Sequence, residues 1–61
     1  MSYIDTLPKY YEIEAGIAVK VYAEDGRIVG INHLGNPYDP FKAVRDGTRI
    51  TEAEFKKIAK L

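Results

Sequence analysis

Ile17-Ala18-Val19-Lys20-Val21-Tyr22-Ala23-Glu24-Asp25-Gly26-Arg27-Ile28-Val29-Gly30-Ile31-Asn32 decides the fold of this 61-residue chain. Two runs rich in β-branched residues flank Asp25-Gly26, a dipeptide that tolerates the backbone conformations of tight hairpin turns. Two geometries fit. A two-residue loop pairs Glu24 with Arg27 and Ala23 with Ile28, whereas a three-residue loop, closed by Gly26 as a bulge residue, pairs Ala23 with Arg27. They differ by a one-residue slip, which moves every partner side chain to the opposite face. In the longer loop Ile17, Val19 and Val21 share a face with Val29 and Ile31. In the shorter loop Val19 shares its face with Gly30 and Asn32. The longer loop segregates apolar from polar residues better, and it is the expected register.

The same rule extends upstream. A three-residue Glu14-Ala15-Gly16 loop pairs Ile13 with Ile17 and Tyr11 with Val19, adding Tyr11 and Ile13 to the apolar face. Tyr10 and Glu12 then join Ala18, Lys20, Tyr22, Ile28, Gly30 and Asn32 on the other face. A competing reading turns Pro8 to Ala15 into a short helix capped by Gly16. Its stripe of Leu7, Tyr10, Tyr11 and Glu14 is incomplete, so the strand is preferred.

Past Leu34 the chemistry changes. Gly35-Asn36-Pro37-Tyr38-Asp39-Pro40 reads as a connector, with Asp39 as helix N-cap and Pro40 at the first helical position. Phe41 and Val44 fall on one side of the helix that follows, and Gly47 is placed to end it. The last helix has the clearest start in the chain. Thr51 and Glu54 form a capping box, and Ile50 and Phe55 stand at the positions of a hydrophobic staple. Phe55, Ile58 and Ala59 share a face extended by Leu61, with Lys56, Lys57 and Lys60 mostly opposite. The expected architecture is α+β, in one domain spanning residues 1–61. A three-stranded antiparallel meander (about 9–13, 17–23 and 27–34) carries two short C-terminal helices (about 40–46 and 52–60) packed on one sheet face.

Composition narrows the chemistry. The chain has no cysteine and a single histidine, His33. A disulfide framework, a thiolate metal site and a conventional zinc site within one chain are therefore excluded. No metal or other cofactor is expected. The absence of cysteine suits a reducing, cytoplasmic setting. The first residues lack the basic and apolar regions of a signal peptide, and no apolar run approaches the ~20 residues that span a bilayer. Nine basic and nine acidic residues give a formal net charge of zero, with acid concentrated before Gly26 and base after it.

Catalysis is not expected. His33 lies near a strand end with no Gly-rich phosphate loop beside it, and the pairs Glu12/Glu14 and Glu52/Glu54 suit a strand surface and a helix start. A chain this small also struggles to enclose a pocket of about 300 Å³ or more. The expected function is that of a small protein–protein interaction module, an inhibitor, antitoxin-like factor or accessory subunit that occupies a surface of a larger protein. A second copy of the chain is another candidate partner. In the expected register Tyr10, Lys20, Tyr22, Ile28 and Asn32 form one outer sheet surface suited to that role, because tyrosine is enriched at interfaces. The alternative is a nucleic-acid-binding module. It would use the tyrosines as stacking platforms or Arg45, Arg49, Lys56, Lys57 and Lys60 as phosphate contacts. It ranks second because the chain lacks the basic excess usual for that role.

Overall fold

At the Asp25-Gly26 turn both residues take positive φ, 53° and 76°, the signature of a two-residue type I′ connection. A computed structural model describes residues 3–14 and 16–60 of the chain. In it β2 (Ile17–Glu24) and β3 (Arg27–Asn32) pair antiparallel, with Glu24 opposite Arg27, Ala23 opposite Ile28 and Tyr22 opposite Val29. The three-residue loop expected from apolar segregation is thus overturned. That reasoning assumed one apolar and one polar face, and this sheet is covered on both.

β1 (Lys9–Glu14) pairs with β2 through Tyr10 opposite Lys20 and Tyr11 opposite Val19, as expected. The next expected pair, Ile13 with Ile17, is not formed. The register shifts between Glu12 and Glu14, so Glu14 faces Ile17 and Ile13 is the extra residue of a bulge. Ile13 still packs with Tyr11 against the same core cluster. The loop residue Ala15 lies outside the described residues, as does Leu61, read above as extending the apolar face of the last helix. The competing helix over Pro8 to Ala15 is not formed; the segment is strand from Lys9 to Glu14.

A fourth strand completes the sheet. β4 (Thr48–Ile50) pairs antiparallel with β1, placing Ile50 opposite Tyr10 and Arg49 opposite Tyr11, and the strand order is β3-β2-β1-β4. The meander reading missed it because three residues between a helix end and a helix cap carry no period of their own. The strand exists through pairing with a segment more than thirty residues earlier.

α1 (Pro40–Asp46) and α2 (Glu52–Ala59) lie on opposite faces of the sheet. This corrects the expectation that both cover one face. Successive strand residues point to opposite sides, and the two cores divide accordingly. Tyr11, Val19, Val21 and Ala43 form one, with Leu7, Ile13, Ile28 and Tyr38 packed against it. Tyr10, Ala18 and Phe55 form the other, with Ile50, Ile58 and Ala59. A short helix cannot hold itself together in water, and each is stabilised by docking. α1 seats through Ala43, which is fully buried, and α2 through Phe55.

Both helix starts follow the sequence signals. The Asp39 carboxylate accepts from the backbone N–H groups of Phe41 and Lys42. Thr51 and Glu54 form the reciprocal capping box, with Glu54 N–H donating to Thr51 Oγ1 and Thr51 N–H to Glu54 Oε1, each at 3.1 Å. At the other end of the chain a 3-10 turn, Tyr3–Thr6, leads through a cis Leu7–Pro8 peptide into β1.

Candidate functional site

The loop after β3 folds back along that strand and sets up an open apolar recess. Tyr38 N–H donates to the Gly30 carbonyl at 3.0 Å and Asn32 N–H to the Asn36 carbonyl at 2.8 Å. The Asn32 side-chain oxygen also accepts from the N–H groups of Leu34 and Asn36. This path needs a glycine at position 30. A Cβ there would strike the Tyr38 carbonyl oxygen and come within 3.2 Å of the Pro40 backbone. The close approach places the first turn of α1 beside the edge strand, where Lys42 Nζ lies 6.0 Å from the centre of the Tyr38 ring.

Because α1 seats through Ala43, the side chains one and two positions away are left outside the core. Phe41 and Val44 lie with Pro40 and Arg45 along a groove whose floor on the sheet is Ile28. The groove is wide open, measures about 410 Å³ and is lined almost wholly by carbon. Phe41 remains 65 % exposed and Val44 40 %. Large aromatic side chains this exposed are uncommon in a chain with a buried core to offer them. Arg45 at the rim pairs with Asp46, Nε to Oδ1 at 3.1 Å. That bond holds the Asp46 carboxyl below its ordinary range and raises the guanidinium.

The expected partner surface does not survive as a unit. Tyr10 is buried under α2, its ring centre 4.9 Å from that of Phe55 and its hydroxyl 3.0 Å from Glu52 Oε2. Lys20 and Tyr22 remain together on the half of that face beyond α2, Lys20 Nζ 5.5 Å from the Tyr22 ring centre. The observed register gives them Ile31 and Val29 as neighbours. Ile28 and Asn32 sit on the opposite face, with Ile28 in the groove and the Asn32 carbonyl oxygen of the side chain committed to its own loop. Ile28 lines the groove beside Phe41 and Val44.

The basic set is also divided. Arg45 belongs to α1, while Lys56 and Lys57 belong to α2 on the other side and Lys60 caps that helix. Arg49, opposite Tyr11 in β4, shares the face that α1 covers. Lys56 Nζ lies 3.5 Å from Glu52 Oε1. These residues make no continuous cationic track.

His33 closes the β2–β3 ladder. Its N–H donates to the Ala18 carbonyl at 2.8 Å, and its Nδ1 accepts from the Ala18 N–H at 3.3 Å. Among the described residues no group of three histidine, cysteine or carboxylate side chains is placed to hold a metal ion, and no helix is long and apolar enough to cross a membrane.

Phe41 and Val44 were legible as an apolar pair on one side of a helix, which ordinarily reads as core. The signal that separates them from the core is Ala43. The small side chain lets the helix lie close to the sheet, and a seven-residue helix has room for one such stripe. No protein-family model matches the chain, and no characterised protein or solved structure matches it.

Proposed function

We propose that the chain is a protein–protein interaction module, a non-enzymatic inhibitor, antitoxin-like factor or accessory subunit that works in the cytoplasm. It acts by docking onto a surface of a larger protein. The observation that carries this reading is the exposed Phe41, which lines an apolar groove with Ile28, Pro40 and Val44. Aromatic anchors beside a desolvated recess supply most of the energy of protein interfaces. Burial of its ring against a partner removes apolar surface worth about 25 cal/mol per Å². Nucleic-acid binding ranks behind it, because the cationic side chains are spread over two faces and partly paired.

A tagged chain and its Phe41→Ser/Val44→Ser variant test the reading. Each is used to capture proteins from nuclease-treated extract, and any captured protein is then purified and titrated against both by calorimetry. The expected result is a partner bound by the parent and weakened roughly 100-fold or more by the variant, while thermal melts of the two chains coincide. Equal binding by parent and variant would remove the groove from the function.

A further inference from the structure

We infer that Asp25 is a site of spontaneous backbone modification. Its side chain cyclises onto the Gly26 nitrogen and reopens as isoaspartate, a reaction the fold withholds from Asp46 in the chain's second Asp-Gly pair, Asp46-Gly47. In the first step the Gly26 nitrogen attacks the Asp25 side-chain carboxyl carbon. The N–H proton and the carboxyl hydroxyl leave as water, and a five-membered succinimide remains. Water then adds to the ring carbonyl that was the Asp25 main-chain carbonyl and breaks its bond to nitrogen. The chain is now joined through the side chain, with a free carboxylate on the Cα. One water is lost and one gained, so mass is unchanged and no oxidant or reductant is needed. A glycine after the aspartate eases the attack, because no Cβ crowds the nitrogen.

Ring closure needs rotation about the aspartate ψ, a nitrogen free to move and a protonated carboxyl. The hairpin tip meets the first two. Asp25 and Gly26 are both exposed, and a Cβ placed on Gly26 would find nothing within 4 Å. The ladder ends at Glu24 opposite Arg27, so rotation between them breaks no strand pair. Asp25 also sits at φ 53°, a region that disfavours residues with a Cβ, and rotation relieves it.

At Asp46 the fold opposes each requirement. The Gly47 N–H donates to the Ala43 carbonyl at 2.8 Å and closes the last turn of α1. Gly47 is also walled in: an added Cβ would strike that carbonyl oxygen and lie 2.9 Å from Ile13 Cδ1 and 3.1 Å from Tyr11 Cβ. The Asp46 carboxylate accepts from Arg45 Nε at 3.1 Å and Nη2 at 3.3 Å. That bond holds the carboxyl below its ordinary pKa and depletes the protonated form. Cyclisation at Asp46 therefore waits for the end of α1 to open, whereas a hairpin tip opens at little cost. The product at Asp25 adds one main-chain carbon to a two-residue turn. It loosens the Glu24–Arg27 pair, next to which Ile28 floors the groove.

The test ages the full-length chain at neutral pH for several weeks, in buffer and in parallel in guanidinium chloride. Trypsin places the two sites in separate peptides, residues 21–27 and 46–49. Chromatography and electron-transfer fragmentation then distinguish isoaspartate from aspartate at equal mass. In buffer Asp25 should convert roughly tenfold faster than Asp46, the combined effect of one backbone hydrogen bond and one exposed ion pair. In denaturant both constraints are gone, and the two rates should come within about threefold of each other. Asp25→Glu, whose longer side chain would have to close a larger ring, should leave the 21–27 peptide unaltered and the Asp46 rate unchanged. An Asp25 that stays unconverted, an Asp46 that converts as fast in the folded chain, or a ratio that is the same in denaturant overturns the inference.

Discussion

Tyr10 and Tyr11 are consecutive in β1 and lie at the centres of two different cores, Tyr10 against Phe55 on one face and Tyr11 against Ala43 on the other. The pleat of one strand thus fastens both helices. Neither helix touches the core that the other closes, so damage on one side leaves the other side's packing in place.

The bond between Tyr10 and Glu52 gives the α2 side a pH signature. Burial, then the hydrogen bond to Glu52 and its negative charge, hold the Tyr10 phenol above its ordinary pKa. The bond from Tyr10, then Lys56, holds the Glu52 carboxyl below its own. The contribution of Glu52 is present above the unfolded carboxylate pKa and is lost as pH falls through the folded value. The contribution of Tyr10 is complete below the unfolded phenol pKa and is lost as pH rises through the folded value. Tyr10→Phe keeps the ring and should flatten both limbs of a melting-temperature profile. An unchanged profile would mean the bond carries no stability.

Phe55→Ala should cost about 3 kcal/mol or more, because it removes a buried ring and leaves a cavity between α2 and the sheet. Thr51→Ala should cost about 1 kcal/mol through the lost cap. Hydrogen exchange should rise over residues 52–59 in both variants while α1 keeps its protection. Equal loosening of the two helices would show that the two cores melt as one.

Gly30→Ala should destabilise by about 3 kcal/mol, as overpacking against fixed backbone does. The added methyl meets the Tyr38 carbonyl and the Pro40 backbone, neither of which is a flexible side-chain end. Urea denaturation measures the loss. Gly16→Ala is the control: its Cβ would enter open space, and only the positive φ of 83° opposes it, so the cost should stay near 1 kcal/mol.

The hairpin register has its own test. With both Asp25 and Gly26 at positive φ, Asp25→Asn should be neutral or raise stability by a few tenths of a kcal/mol, since Asn-Gly is the preferred type I′ pair. NMR contacts between the Hα protons of Ala23 and Ile28 confirm the two-residue loop, whereas Ala23 contacts to Arg27 would restore the three-residue one.

Local chemistry was readable and long-range pairing was not. The Asp39 and Thr51 caps, the first three strands and the Tyr10–Lys20 and Tyr11–Val19 pairs across one short turn all follow from nearby sequence. β4, the opposite placement of the helices and the bulge at Ile13 depend on which distant surface each segment meets. The register error has the same root: Val29 and Ile31 look like one-sided core only if the other face is wet. The candidate site was half legible. Ile28, Lys20 and Tyr22 retain exposed or half-buried positions, but Tyr10 went to the second core once α2 had a face of its own to cover. Phe41 and Val44 were placed on one side of the first helix, as the structure has them. Their exposure follows from the depth at which Ala43 seats the helix.

The fold-back of Asn36–Tyr38 along β3 also limits how far copies of this molecule can stack. Sheet growth into a fibre requires two long strands with unmatched edges, one to receive and one to offer. Here the receiving edge is occupied from Gly30 to Asn32 and the far edge is a strand of three residues. Assembly at this edge is therefore terminating, and the chain can carry an exposed aromatic groove in a crowded solution without seeding a filament.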